Sequence, residues 1–299
     1  MLFEKKWDRP KLYVVLGPTA SGKTEFAIRL AKKVKGEIIS FDAMQIYRGL
    51  PILTNQPSQK ERKGIPHHLI GVLSLGKEFS AAQFSRMAKT AIHDVIRRRK
   101  IPILVGGSGF YLNALLSGTH SPARANPAIR KKYLRLRREK GNAFLYEKLR
   151  AMDPKRAKKI HPNDSYRILR ALEIFEATGK RPSEFEKGRG GLSEDFTIEK
   201  IGLRLSRETL YQKINERVHA MIERGVLQEV QPVLGKKLSA TARKIIGLEE
   251  FSLYLKGKRP LEEAISEIQQ SSRRYVKRQE TWFRKEKEVR WLLRQGLKR

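Results

Sequence analysis

The stretch Gly17-Pro18-Thr19-Ala20-Ser21-Gly22-Lys23-Thr24 satisfies G-x-x-x-x-G-K-[ST] at every position. Such a loop binds the phosphates of a di- or triphosphate. Its glycines let the backbone curl until successive N–H groups point inward at phosphate oxygens, and the following helix adds its positive N-terminal end. Lys23 supplies a point charge, and the Thr24 hydroxyl is placed to hold Mg²⁺ or a phosphate oxygen. The loop alone does not name the reaction.

To work, the loop must lie between a strand and a helix. Leu12 to Leu16 is an apolar run that predicts a buried strand, and Glu25 to Val34 has a helical pattern closed by Gly36. Glu37 to Phe41 predicts a second strand ending at Asp42. Strand, phosphate loop, helix and strand in this order predict a parallel α/β sheet, whose chemistry lies beyond the carboxyl ends of its strands. Asp42 falls there, either as a reacting carboxylate or as the cap of the next helix. A helix over 80–98, with Ser80 as N-cap, leads to a third strand, Ile101 to Val105. That strand runs into Gly106-Gly107-Ser108-Gly109 and an apolar helix from Phe110 to Leu116. Hydrolytic phosphate-loop proteins usually end such a strand in an acid that holds the Mg²⁺ shell. Glycines stand here instead, which argues against a motor or switch ATPase.

Between these elements, residues 50–76 are rich in proline and glycine and predict an extended loop. His67 and His68 within it are adjacent, so on an extended chain they point opposite ways and do not share a metal. Residues 121–190 are strongly basic and helical in pattern, an insertion before a fourth strand at 196–205. One of its helices is capped by Asn163 or Asp164, buries Ile168, Leu172 and Phe175, and brings Arg167 and Arg170 together on another face. Two such arginines suit phosphate or base contacts, or form a plain solvated face. After the fourth strand, Ser206 caps a helix with the apolar stripe Leu210, Ile214, Val218, Met221 and Ile222. Arg217 borders the stripe, able to lean toward the pocket or to sit on the surface. Residues 239–295 are expected to be helical. The last long helix carries Arg274, Lys277, Arg278, Thr281 and Lys285 on one side, interleaved with Tyr275, Trp282 and Phe283. Basic residues mixed with aromatics suit single-stranded RNA, although such aromatics also build cores.

Composition narrows the partners. The 299 residues hold 64 Lys and Arg against 31 Asp and Glu, a net charge of +33, which points to a polyanion, a nucleic acid before a membrane surface. No cysteine is present, so disulfides, thiolate nucleophiles and cysteine–zinc sites are excluded. No apolar run approaches the about 18 residues of a membrane span, and no N-terminal signal region is evident, so a cytoplasmic location is expected.

Several separated motifs together resemble one family, the bacterial tRNA dimethylallyltransferases (isopentenyl-tRNA transferases). They are the phosphate loop at 17–24, Ser40-x-Asp42-x-x-Gln45-x-Tyr47, Pro66-His67-His68-Leu69-Ile70 and Gly106-Gly107-Ser108-Gly109-Phe110-Tyr111-Leu112. Further on come His161-Pro162-Asn163-Asp164 with Arg167 and Arg170-Ala171-Leu172-Glu173, and Lys277-Arg278-Gln279-x-Thr281-Trp282-Phe283-Arg284. The resemblance implies a phosphate-loop, nucleotide-kinase-like α/β core with a parallel sheet, formed by residues 1–120 and 195–299. An all-helical domain, residues 121–194, interrupts it and contacts tRNA. It implies transfer of a dimethylallyl group from dimethylallyl diphosphate to N6 of adenosine 37, with Mg²⁺, in a monomer that binds the anticodon stem-loop. Asp42 is then the base, and Lys23, Thr24 and Arg217 neutralise the leaving diphosphate, which Gly17, Thr19, Ala20, Ser21 and Gly22 help to cradle. The tRNA contacts implied are Asp42, Ala43, Met44, Gln45, Ser108, Tyr166, Arg167, Ile168, Leu169 and Arg170.

This chain departs from the family pattern at three places. Ala43 replaces the usual serine, so a hydroxyl beside the expected base is missing. Ser108 stands for the commoner threonine, and Ile245-Ile246-Gly247-Leu248 for Ala-Ile-Gly-Tyr. Two rival readings remain at the level of sequence: a kinase on the same core, which would consume ATP, and an RNA-binding protein whose loop senses nucleotide.

Overall fold

The computed structural model describes residues 9–118, 126–185 and 191–293. In chain order its strands are β1 (Lys11–Leu16), β2 (Gly36–Ser40), β3 (His67–His68), β4 (Ile101–Gly106), β5 (Thr197–Arg204) and β6 (Val289–Leu293). The α-helices are α1 (Lys23–Val34), α2 (Gln59–Arg62), α3 (Ala81–Arg97), α4 (Gly109–Leu116), α5 (Pro127–Met152), α6 (Pro154–Ala157) and α7 (Ser165–Thr178). They continue with α8 (Arg207–Glu223), α9 (Val226–Val230), α10 (Leu248–Leu255) and α11 (Leu261–Phe283). The six strands form one sheet in the order β3-β2-β4-β1-β5-β6, every neighbouring pair parallel. The expected α/β phosphate-loop core is therefore present.

Two elements differ from expectation. Residues 50–76 are not all loop, because His67–His68 adds an edge strand to β2. The two imidazoles do diverge: His67 Nδ1 meets its own chain at Ile65 O (2.8 Å), and His68 Nε2 meets Glu37 Oε2 (2.7 Å). Nor is the stretch 239–295 wholly helical, since α11 stops at Phe283, leaves Lys285 beyond its end, and is followed by β6 against β5.

Alternation along the strands sorts the core into two layers, since successive side chains take opposite faces. Leu12, Val14, Leu16, Ile39, Phe41 and Leu104 meet the side of α3, α4, α10 and α11. Val15, Ile38, Ile103, Val105 and Leu203 meet α1 through Ala27, Ile28 and Ala31. A sheet covered on both faces explains why its strands read as continuous apolar runs. Capping follows the sequence: Ser80 and Gln83 form a reciprocal capping box at α3, Asp164 caps α7 and Ser206 caps α8.

The chain divides into two compact units, Met1–Leu116 with Leu192–Arg299, and Ser117–Gly191. The boundary expected at 120/121 lies outside the described residues. The first unit is closed where the chain departs and returns: the N–H groups of Leu192 and Ser193 donate to Leu115 O and Leu116 O, both at 3.1 Å. An insertion whose two ends are paired like this leaves the host sheet undisturbed. The second unit has its own core of Tyr133, Leu145, Leu149, Ile160, Ile168, Leu169 and Leu172.

Candidate active site

Four carboxyl-terminal strand ends deliver the chemistry. β1 ends at Leu16, and the phosphate loop begins with Gly17 at φ 150°, where a Cβ would stand 2.7 Å from the Leu203 carbonyl oxygen of β5. Ala20 is held at φ 64°, a left-handed conformation that costs an L-residue about 1–2 kcal/mol. Ser21 is buried, its hydroxyl without a protein partner. Gly22, at φ 80°, opens α1, so Lys23 and Thr24 form the first turn of that helix. Lys23 Nζ donates to Pro18 O at 2.6 Å. Burial pushes its pKa down to about 7, with Asp42 opposing the shift and Arg217 reinforcing it.

That value carries a testable sign. Diphosphate arriving beside Nζ favours the charged ammonium, so its pKa rises on binding. Below pH 7 the lysine is already charged; above it, binding must draw in a proton. Inhibition by inorganic diphosphate should be compared with Lys23→Arg, whose charge does not titrate. The affinity ratio of wild type to variant is expected to fall as pH climbs from 7 to about 9, by at most ~10-fold per unit. A ratio flat across that range would refute the coupling.

Asp42 lies beyond β2. Its Oδ1 accepts the N–H groups of Met44 (2.8 Å) and Gln45 (3.3 Å), which fixes a tight turn. The capping alternative is thus partly true: one carboxylate oxygen caps a turn, though not a helix. Ser108, beyond β4, accepts the Ala43 N–H at 3.0 Å and ties this turn to the neighbouring strand. Gln45 is engaged internally, with Oε1 accepting from Ser40 Oγ (3.1 Å) and Nε2 donating to Asn55 O (2.8 Å). Arg217 comes from α8. It leans toward the pocket: its half-buried guanidinium donates to Thr19 Oγ1 at 2.6 Å. Burial lowers its pKa, while the negative charge of Asp42 opposes that.

Helix α11 contributes two residues, Gln279 and Tyr275, to which the sequence reading gave no role in the site. Gln279, 4 % exposed, accepts the Thr19 N–H on Oε1 (2.8 Å) and donates from Nε2 to Gly107 O (3.0 Å). The glycine run after β4 serves this approach, since a Cβ on Gly107 would stand 2.1 Å from Gln279 Nε2 and one on Gly109 2.0 Å from Trp282. One turn earlier, Tyr275 faces the same site. Burial and then the charge of Asp42 raise its pKa, against Ser108 and Gln279 as hydrogen-bond partners, so the phenol stays neutral. The available signal was helical spacing, because residues four apart share a face. Phe283 is core, and Trp282 packs edge-on against it with centroids 5.8 Å apart.

In the second unit, Tyr166 is 62 % exposed, with the Arg130 guanidinium 5.2 Å from its ring centre. Buried Glu173 takes Arg130 on one oxygen (2.9 Å) and Arg170 on the other (3.4 Å), while Arg167 pairs with Asp164. Ile168 and Leu169 differ from the other expected tRNA contacts. Their side chains are 0 % and 1 % exposed in the core, because α7 turns them inward beneath its exposed face.

A parallel sheet with a phosphate loop on its central strand, a carboxylate beyond the next strand but one and a half-buried arginine at the loop defines a group-transfer enzyme on a nucleotide-kinase-like fold. The chain belongs to the IPP transferase family, whose model matches residues 45–286. It is 43 % identical over 287 residues to the tRNA dimethylallyltransferase of Halothermothrix orenii, covering 95 % of this chain and 88 % of the relative. Among solved structures it is similar to the full-length tRNA isopentenylpyrophosphate transferase of Bacillus halodurans. That match has a TM-score of 0.69 and 38 % identity, and covers 95 % of this chain and 90 % of the other. A eukaryotic dimethylallyltransferase acting on tRNA superposes with a TM-score of 0.79 at 34 % identity, over 95 % of this chain and 74 % of its own.

Proposed function

We propose that the protein transfers the dimethylallyl group of dimethylallyl diphosphate to N6 of adenosine 37 in tRNA, releasing diphosphate. The observation that carries this is the placing of one carboxylate, Asp42, within electrostatic reach of two half-buried cations, Lys23 and Arg217, at a phosphate loop. The adenine N6 lone pair is delocalised into the ring, so attack needs both a good leaving group and a base. As the N6–C1 bond forms, the C1–O bond breaks and its electrons pass to the diphosphate. Lys23, Thr24 and Arg217 stabilise that charge within a site arranged beforehand, and Asp42 takes the N6 proton. The target base must leave its stack, a cost of a few kcal/mol that is smaller in a loop than in a duplex.

Mg²⁺ is proposed as the counter-ion of the diphosphate. Thr24, in the first turn of α1, and the partnerless hydroxyl of Ser21 fit a site whose other ligands are phosphate oxygens and water. No group of three or more His, Asp or Glu able to hold a metal occurs among the described residues, which is consistent with an ion shared with the substrate. When bound, it would neutralise charge on the leaving group. Tyr166, Arg167 and Arg170 are proposed as tRNA contacts, with Ala43, Met44, Gln45 and Ser108 near the reacting base. A net charge of +33 supports a polyanionic partner and opposes self-association, so a monomer is proposed, and a tRNA substrate goes with a cytoplasmic location. No helix among the described residues is long and apolar enough to cross a membrane.

The test is incubation with undermodified tRNA, dimethylallyl diphosphate and Mg²⁺, followed by nucleoside mass spectrometry. The expected result is an adenosine heavier by one C₅H₈ unit. An unchanged profile despite tRNA binding would overturn the reading.

A further inference from the structure

We infer that Gln279 is a positioning residue of the transfer reaction, holding the phosphate loop and, through Thr19, the guanidinium of Arg217. The inference rests on the prenyl-transfer reading above. Three contacts form one chain. Gly107 O accepts from Gln279 Nε2, Gln279 Oε1 accepts from the Thr19 N–H, and Thr19 Oγ1 accepts from Arg217 Nη1. Thr19 is therefore gripped at both its backbone and its side chain.

The chemistry of the amide matters. One end must accept and the other donate, and a carboxamide does both on one planar group whatever the pH. Three observations show that the contact is built rather than incidental. Gln279 is almost fully buried, the glycine at 107 leaves room for no side chain larger than hydrogen, and both amide ends are satisfied. A buried polar group with both ends paired fixes orientation more than it adds stability. The Thr19 N–H is meanwhile committed to Gln279. Phosphate recognition then falls to the rest of the loop, to Lys23 and to Arg217, whose aim depends on where Thr19 is held.

Two substitutions separate the halves of the contact. Gln279→Glu keeps an acceptor for Thr19 N–H but loses the donor to Gly107 O. Gln279→Met keeps the approximate shape and loses both. Turnover with undermodified tRNA, the inhibition constant of inorganic diphosphate, tRNA affinity and Tm should be measured on each full-length variant. For Gln279→Met, kcat is expected to fall about 10- to 100-fold, since a displacement of about 1 Å at a reacting centre is worth up to about 10²-fold. The diphosphate inhibition constant should rise at least threefold, tRNA affinity should stay within twofold, and Gln279→Glu should lie between wild type and Gln279→Met. If Gln279→Met is insoluble, Gln279→Glu carries the test, with the same direction on kcat and diphosphate inhibition. Turnover and diphosphate inhibition within twofold of wild type would overturn the inference. So would parallel losses in tRNA affinity, diphosphate inhibition and Tm, the mark of a merely structural role. Absence of prenyl transfer by the wild type would instead refute the underlying reading of function.

Discussion

Asp42→Asn is expected to lower turnover by about 10²–10⁴-fold with almost no change in Tm, the range a positioned base contributes. The asparagine is chosen because of the two jobs the carboxylate does. Its Oδ1 caps a turn by accepting the Met44 and Gln45 N–H groups, and an amide oxygen can do the same. What asparagine cannot do is take the proton from N6. Asp42→Ala would remove both functions and add a capping loss of about 1 kcal/mol, blurring the result. Single-turnover rates with saturating dimethylallyl diphosphate, alongside thermal unfolding, separate the two. More than about a tenth of wild-type turnover in Asp42→Asn would place the base elsewhere.

Arg217→Gln should lower kcat by about 10²–10³-fold, the loss typical of removing one donor to developing negative charge. Stability should move the other way or not at all. Burial depresses the Arg217 pKa, so its charge is held in an unfavourable place until a diphosphate arrives, with Asp42 only partly compensating. Removing that charge relieves the strain in the empty enzyme, a trade of stability for activity that is common at active sites. Arg217→Lys keeps the charge but not the planar fork that reaches Thr19, and should fall between. A Tm that dropped in proportion to activity would mean that Arg217 is mainly structural.

Much of this site could be read from residue order. The phosphate loop, Asp42 and Arg217 each fall on a predicted strand end or helix, and the parallel order of strands places such ends along one edge. The shortfalls have physical causes. β3 is two residues long, too short for any periodic signal. β6 is reached through Glu288 at φ 57°, a left-handed turn with no glycine to announce it. The glycines after β4 read as a missing acid, whereas in the fold they also open space for Gln279 and Trp282. A glutamine in an amphipathic helix has no chemistry of its own, and its value arises only from what lies across the gap. For Ile168 and Leu169 the helical period already carried the signal, since Ile168 was also read as part of the buried face.

The bond between Thr19 and Gln279 joins residues 260 positions apart. A ribosome therefore finishes the phosphate-loop sequence long before it supplies the amide that sets it. At roughly 5–20 residues per second the interval is on the order of tens of seconds. During that time the nascent chain carries a loop without its final geometry, so it is a poor trap for diphosphates in its surroundings. Because a ligand stabilises only the state that binds it, a diphosphate would act on folding late, favouring the docked last helix over the loose one. Competence to hold the donor thus doubles as a report that α11 has been made and docked.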